Sequence, residues 1–526
     1  MRIDLTLAAA GFAALLVTMP ADAARVEGGS IVGVRGPGVV TYAGVPYAAA
    51  PVGELRWREP RPVRRWSGVR RAGAFAPACM QSGVSMPGEP PSPISEDCLY
   101  LNVWAPASPG PPRPVMVFFP GGGFTNGSTS IPLYRGDRLA REGVVVVTAA
   151  YRLGPLGFLA LPELTRESPH ASSGDYGLLD QIAALGWVQR NIAALGGDPA
   201  RVTIFGQSAG ATSVSLLMAS PLARGLFQRA IGESGGLFEP LRLAPRYQLK
   251  VAEADGLAYA AKLGANSLDA LRRMPASRFT GPGAAGVSHP VIDPYVLPLA
   301  PADAFAQRRE NDVPLLVGSN QDEARSLIAV GEVRAATFEA DIARQWGPLP
   351  PSILAAYPHA TDEEARQARL DFERDLRFGW DVWAWARLQV ATGRSPAYFY
   401  RFTRQPPFRA GSAQAGWGAS HFAELWYVFD HLDRNTAPWT DADRRLAEVI
   451  TGYWTRFAAT GDPNRPGLPR WPRFETPFGG PMMNLGTSIS PGPVVDLTGL
   501  KAFDTAYDQL RNVRPPSPEA GTTPKP

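Results

Sequence analysis

The chain has 526 residues, 45% of them hydrophobic and 19% charged, which is the make-up of a globular protein with ample material for a core. A net charge of +4 is spread over this length with no Lys/Arg cluster interleaved with aromatics, so nothing argues for a nucleic-acid partner. The two cysteines lack C-x-x-C spacing and no H-E-x-x-H occurs, so no metal and no cofactor is expected.

Arg2 is followed by an apolar stretch from Leu5 to Met19 and then by Ala21-Asp22-Ala23. A positive start, an apolar core and an A-x-A site describe a secretory signal peptide, cut after Ala23. Residues 1–23 are therefore expected to be removed and the protein exported, periplasmic or secreted. No later stretch reaches ~18 uninterrupted apolar residues, so no membrane span is expected after processing. Export makes a disulfide between Cys79 and Cys98 chemically possible. A loop of about 20 residues would contribute on the order of 3 kcal/mol in the chain-entropy model.

The first strand signal is Val115–Phe119, which ends at Pro120 and the run Gly121-Gly122-Gly123-Phe124. Acyl transfer creates a tetrahedral oxyanion that needs backbone N–H donors aimed at it. Glycines let the backbone approach closely enough to supply them. Gly122, Gly123 and, further on, Ala209 are the candidate donors of such an oxyanion hole. No Gly-Lys-Ser/Thr follows, which argues against a phosphate loop. Val144–Ala149 is continuous and β-branched, as a strand buried on both faces should be. Leu178 to Ala194 has apolar residues at helical spacing and stops at Gly196-Gly197.

Val202–Phe205 is a third strand and runs into Gly206-Gln207-Ser208-Ala209-Gly210, a G-x-S-x-G match. A second match is Gly232-Glu233-Ser234-Gly235-Gly236. A nucleophile elbow needs a strand before it, a helix after it and small flanking residues. Ser208 meets all three conditions. Ser234 runs into Leu237-Phe238-Glu239-Pro240, where no helix starts cleanly. Ser208 is therefore the expected nucleophile.

Val313–Val317 is a fourth strand, and Asn320-Gln321-Asp322-Glu323 follows it. In α/β-hydrolases the order is Ser, then acid, then His, with the acid at a strand end. Spacing does not choose between Asp322 and Glu323, and Asp322 could instead cap the next helix. Thr361-Asp362-Glu363-Glu364 is a capping box opening a long helix. The aromatic stretch Phe378–Trp385 reads at helical spacing as core. Tyr398–Phe402 is a fifth strand.

A serine hydroxyl needs a base, and histidine serves best near neutrality. Of the five histidines, His170 precedes Ser208, and His289 and His359 abut prolines before the later strands are complete. His421, in a loop-like approach, is favoured over His431, whose neighbours Asp430 and Asp433 make it read as exposed. The tail from Pro515 to Pro526 has almost nothing to bury and reads as disordered. Strands alternating with helices predict an α/β fold with a mostly parallel sheet covered on both faces. One unit spanning residues 24–512 is expected, followed by a Pro-rich tail at 513–526.

The chain resembles the type-B carboxylesterase family, which includes cholinesterase-like proteins. The motifs that carry the likeness are collinear from about Val26 to about Tyr507. They are Gly44 through Ala48, Ser95 through Trp104, Gly121 through Phe124, Asp175 through Gln181, Gly197-Asp198-Pro199, Phe205 through Ala211, Asn320 through Glu323, and His421 with Glu424 and Tyr427-Val428-Phe429. The resemblance implies an α/β-hydrolase fold with helical insertions and hydrolysis of a small-molecule ester through an acyl-enzyme. It implies Ser208, Glu323 and His421 as the catalytic residues and Ser234 as a hydroxyl just behind them. It further implies a Cys79–Cys98 disulfide and an ion pair between Arg56 and Glu96. Two departures stand out: Pro120 precedes the glycine run where the family has His or Tyr, and Ala324 follows Glu323 where the family has Gly. Pro120 has no N–H to donate. The stretch from Met80 to Asp97 holds no Phe, Trp or Tyr, so no cation–π site for a choline ester is expected there. A binding protein that lost catalysis, or the same site acting on an amide or lactone bond or in acyl transfer, are the competing readings. The natural ester and the oligomeric state stay open.

Overall fold

The computed structural model describes residues 22–83, 92–477 and 479–512. The expected signal peptide lies outside the described residues except for Asp22 and Ala23, and the tail at 513–526 lies outside them altogether.

The apolar runs assemble into an 11-stranded sheet. In chain order its strands are β1 (Val34–Gly36), β2 (Val39–Pro46), β3 (Tyr100–Pro106), β4 (Arg113–Phe119), β5 (Val145–Ala149), β6 (Gly197–Gln207), β7 (Arg229–Glu233), β8 (Leu315–Asn320), β9 (Ala397–Phe402), β10 (Pro481–Leu485) and β11 (Ile489–Pro493). Across the sheet they lie in the order β11-β10-β9-β8-β7-β6-β4-β5-β3-β2-β1. Neighbours from β5 to β10 run parallel, and antiparallel strands close both edges. The fourth strand begins at Leu315, two residues later than its apolar run. Pro314 has no N–H for a ladder, and only its carbonyl is used, by Ala230 N–H at 3.0 Å.

Successive side chains of a strand point to opposite faces, so a strand buried on both sides must be apolar throughout. β4 does this: Val115, Val117 and Phe119 join one apolar cluster, Met116 and Phe118 the other. The first cluster is covered by helices α1 (Tyr176–Asn191), α2 (Ala209–Ala219), α3 (Asp362–Arg374) and α4 (Trp380–Thr392). The second is covered largely by α5 (Asp441–Thr460), through Leu446, Ile450, Trp454 and Phe457. The capping box of α3 is formed: Thr361 Oγ1 accepts from Glu364 N–H at 3.2 Å, and Thr361 N–H donates to Glu364 Oε2 at 3.1 Å. A single π-helical turn, Asp375–Gly379, joins α3 to α4.

Cys79 and Cys98 are disulfide-bonded. Within the loop they close, Glu96 receives both Arg56 Nε (2.7 Å) and Arg56 Nη2 (2.6 Å). The remaining guanidinium nitrogen donates to the carbonyls of Leu271, Arg272 and Met274. A bidentate pair of this kind fixes orientation as well as distance. Among the described residues no helix is long and apolar enough to cross a membrane.

Candidate active site

Four neighbouring parallel strands, β4, β6, β7 and β8, end at one rim of the sheet, and each is followed by a residue singled out in the sequence. Loops at the carboxyl ends of parallel strands are where open α/β sheets build their sites.

Ser208 stands between β6 and α2 at φ 59°, ψ −126°, a conformation that L residues rarely adopt. Its N–H donates to Glu233 O at 2.8 Å, which ties the turn to β7. The two glycines of the motif have steric reasons. A Cβ on Gly206 would lie 2.5 Å from the carbonyl carbon of Gly210, and one on Gly210 would lie 2.0 Å from Phe119 O. The turn is that tight because α2 folds straight back over the strand that feeds it.

The glycine loop after β4 abuts this turn: a Cβ on Gly121 would be 3.0 Å from Ser208 Cβ. Gly122 adopts φ 115°, and its carbonyl is turned inward to accept from Thr125 N–H (3.1 Å), Asn126 N–H (3.0 Å) and Thr125 Oγ1 (3.1 Å). Among the described residues the N–H groups of Gly122, Gly123 and Ala209 donate to no protein acceptor. Pro120 loses a donor, but its carbonyl is held by the Tyr151 hydroxyl at 2.7 Å.

Sequence spacing leaves two acids open, and side-chain direction separates them. Glu323 is fully buried, and its Oε2 accepts from His421 Nδ1–H at 2.6 Å while its Oε1 accepts from Asn320 N–H at 2.7 Å. Asp322 turns to the loop instead. Its Oδ2 accepts from Ala419 N–H at 2.9 Å, and its own N–H donates to Ala419 O at 2.9 Å. Asp322 stands at the N-cap of the short 3-10 turn Glu323–Ser326 but makes no side-chain capping bond; its carboxylate instead pins the segment that carries the histidine. His421 is 3% exposed, with the Gln207 side-chain amide 3.3 Å from each ring nitrogen. The imidazole is thus brought beside the serine turn, although the Ser208 hydroxyl makes no hydrogen bond among the described residues. Phe378, from the π-helical turn, stacks on the imidazole at 4.3 Å between centroids and 13° between planes. The aromatic stretch therefore divides: Trp380, Trp383 and Trp385 are core, and Phe378 covers the histidine.

Behind Glu323 lie two further buried carboxyls. Burial pushes Glu233 up to about 8, although Trp454 Nε1–H donates to it at 2.6 Å. Burial, then the proximity of Glu323 and Glu233, holds Glu424 well above the usual range, with the Asn320 side-chain amide donating to it. Like charges this close disfavour one another, so the cluster is poised to carry less charge than it has carboxyls. Sequence motifs contain these residues but carry no signal of their mutual contact.

Ser234 has a positive φ of 56° as well, but it is fully buried, with N–H donating to Gly318 O at 2.8 Å. It packs immediately behind Ser208: a Cβ on Gly235 would be 2.3 Å from Ser208 O. His431, expected to be exposed, is instead fully buried, and its Nε2–H donates to Arg135 O at 2.8 Å. Burial lowers it to about 4. Its acidic neighbours Asp430 and Asp433 both pair with Arg138 at the surface, which is why the local sequence looks solvated. Among the described residues no group of three or more His, Cys, Asp or Glu side chains is arranged to hold a metal ion.

The chain's likeness to known proteins agrees with this arrangement. The carboxylesterase family profile matches residues 17–492. The fumonisin B1 esterase of Sphingopyxis macrogoltabida is 39% identical over 504 residues, covering 91% of this chain and 89% of that protein. The para-nitrobenzyl esterase of Bacillus subtilis is 35% identical, covering 85% of this chain and 91% of that protein. A solved structure of a PNB esterase superposes with a TM-score of 0.79 at 33% identity, covering 92% of this chain and 99% of that one. The chain belongs to the carboxylesterase family and is a hydrolase of carboxylic esters with the α/β-hydrolase fold.

Proposed function

We propose that Ser208, His421 and Glu323 act as one catalytic unit that cleaves carboxylic esters through an acyl-enzyme. The observation that carries this reading is the buried 2.6 Å bond from His421 Nδ1–H to Glu323, beside a strained serine turn against which the glycine loop packs, with the Gly122, Gly123 and Ala209 amides unspent among the described residues. Donation from Nδ1 fixes the tautomer, so Nε2 keeps its lone pair for the serine proton. Ser208 Oγ bonds to the ester carbonyl carbon while Nε2 takes its proton. The carbonyl π pair becomes an oxyanion, stabilised by the N–H groups of Gly122, Gly123 and Ala209. Collapse breaks the bond to the alcohol oxygen, which leaves with the proton from Nε2. Water then repeats the sequence on the acyl-serine, releasing the acid and restoring Ser208.

A cleft of about 480 Å³ opens beside Thr125 and Asn126 and is bordered by Gly281, Gly283, Ala284 and Ala285, and among the described residues no charged side chain lines it. Small side chains at these positions favour a bulky, uncharged substituent. The relatives' names, a fumonisin B1 esterase and a para-nitrobenzyl esterase, fit such a preference. The test is a p-nitrophenyl ester series from acetate to laurate, with the protein quenched during turnover and digested for mass spectrometry. The expected result is an acyl mass on the peptide containing Ser208; an acyl group elsewhere, or none during a burst of p-nitrophenol, would sink the mechanism.

Export belongs to the same proposal, supported by the disulfide and by the signal-peptide pattern. Cutting after Ala23 leaves the strand pairs Ala24–Ile31, Arg25–Ser30 and Val26–Gly29 intact. N-terminal sequencing of the native protein should begin at Ala24; a start at Met1 or Arg2 would refute processing.

A further inference from the structure

We propose that Gln81 is a positioning residue for the oxyanion hole, through which the disulfide-closed segment holds the glycine loop in its working shape. The inference rests on the reading above, in which the Gly122 and Gly123 amides meet the oxyanion.

Gln81 is buried two residues after Cys79, and its side-chain amide meets the far end of the glycine loop as one strand meets another. Its Nε2–H₂ donates to Gly127 O at 2.8 Å and to Cys79 O at 3.1 Å, and its Oε1 accepts from Gly127 N–H at 3.0 Å. Both polar groups of Gly127 that face it are thereby spent on one side chain. The next residue extends the contact, because Asn126, with its amide turned to suit both ends, donates to Ser82 O.

Gly127 matters because the loop closes on itself there. At φ 147° it sits so close to the loop's start that a Cβ on it would lie 2.8 Å from Gly121 O. Gly121 in turn abuts Ser208 Cβ, and Asn126 N–H holds the carbonyl of Gly122. Fixing Gly127 therefore fixes the peptide planes whose N–H groups must face the substrate. Such donors act only if they are already aimed when charge develops, since reorienting them would cost the same energy that they supply. The other anchors of this loop, Tyr151 on Pro120 O and Gly154 N–H on Phe124 O, hold its first half and leave Gly127 to Gln81.

The experiment compares wild type, Gln81→Ala and Gln81→Glu for p-nitrophenyl acetate turnover, melting temperature and affinity for an aryl trifluoromethyl ketone. That ketone adds to a serine hydroxyl to give a tetrahedral oxyanion without a leaving group. Misaimed donors weaken turnover and adduct together, so Gln81→Ala should lower kcat roughly 10–100-fold, with KM within about threefold and ketone affinity falling by a similar factor. Gln81→Glu keeps the shape and the acceptor but sets a carboxylate oxygen against the carbonyls of Gly127 and Cys79, and should lose at least as much as Gln81→Ala. A folded Gln81→Ala with wild-type kcat, a kcat loss without a loss of ketone affinity, or a fully active Gln81→Glu would each overturn the proposal. If Gln81→Ala is too unstable to assay, Gln81→Glu decides by the same criteria. A Ser208→Ala control separates the two claims: a loss there of less than about 100-fold would break the acyl-enzyme reading itself, whereas its near-complete loss with unaffected Gln81 variants would break only the clamp.

Discussion

Ser208 and Ser234 occupy matching positions on neighbouring strands. Each ends a β-strand, sits within a G-x-S-x-G pattern and takes a positive φ, 59° and 56° respectively. They differ in the backbone that comes after them and in the surroundings of the hydroxyl. A helix begins immediately after Ser208, leaving the Ala209 amide unspent beside a half-buried hydroxyl. After Ser234 the chain continues without a helix, and the side chain is sealed. Strain and sequence pattern are thus shared by both serines; access, a neighbouring imidazole and free donors distinguish one.

The sharpest test of that contrast is the pair of alanine variants. Ser208→Ala should reduce kcat for p-nitrophenyl acetate by at least about 10⁴-fold, as loss of a nucleophile does. Ser234→Ala should cost less than about 10-fold, since it touches no reacting atom; equal losses would erase the distinction. A second pair, Glu323→Gln and Asp322→Asn, repeats the comparison for adjacent acids. Glu323→Gln should lower kcat by roughly 10³–10⁴-fold, because an amide can stabilise neither the tautomer nor the imidazolium. Asp322→Asn, which loosens the Ala419 anchor and the ion pair with Arg325 but touches no reacting group, should stay within about 10-fold. Larger damage from Asp322→Asn would reverse the assignment.

The smallest effect concerns stability. Glu233, next to Ser234, keeps its proton in the fold up to about pH 8, whereas an ordinary glutamate gives it up near 4.5. Between those values the unfolded chain binds fewer protons than the native one, so native stability falls as pH rises and levels off above 8. At about 1.4 kcal/mol per unit, this amounts to no more than roughly 5 kcal/mol. Glu233→Gln retains an acceptor for Trp454 and cannot ionise. Its melting temperature should match wild type near pH 5 and exceed it at pH 9. Parallel curves for the two proteins would show that Glu233 titrates normally.

Much of this fold and site is legible in the sequence, for identifiable reasons. Buried parallel strands have no polar face, so Val115–Phe119 and Val144–Ala149 stand out, and the tight elbow demands small residues around Ser208. The features that escape depend on direction rather than on residue type. Asp322 and Glu323 are neighbours of one chemistry, and only the fold turns one to the imidazole and the other to Ala419. His431 reads wrongly as exposed because its acidic neighbours look outward to Arg138 while the ring looks inward. Phe378 sits on a π-helical turn, where the extra residue per turn breaks the helical spacing that would assign it to the core.

That Ser208, the glycine loop and Glu323 all rise from the rim of one sheet has a corollary for the proposed mechanism. The reactive centre is fixed by strand ends such as Phe119, Gln207 and Asn320, while the wall of the cleft at residues 281–285 belongs to the long excursion between β7 and β8. On the proposed reading, the groups that cut the ester and the part of the cleft wall at residues 281–285 thus lie on separate stretches of chain. On that reading, exchanging the 281–285 segment should change which ester is preferred while leaving the groups that cut it in place.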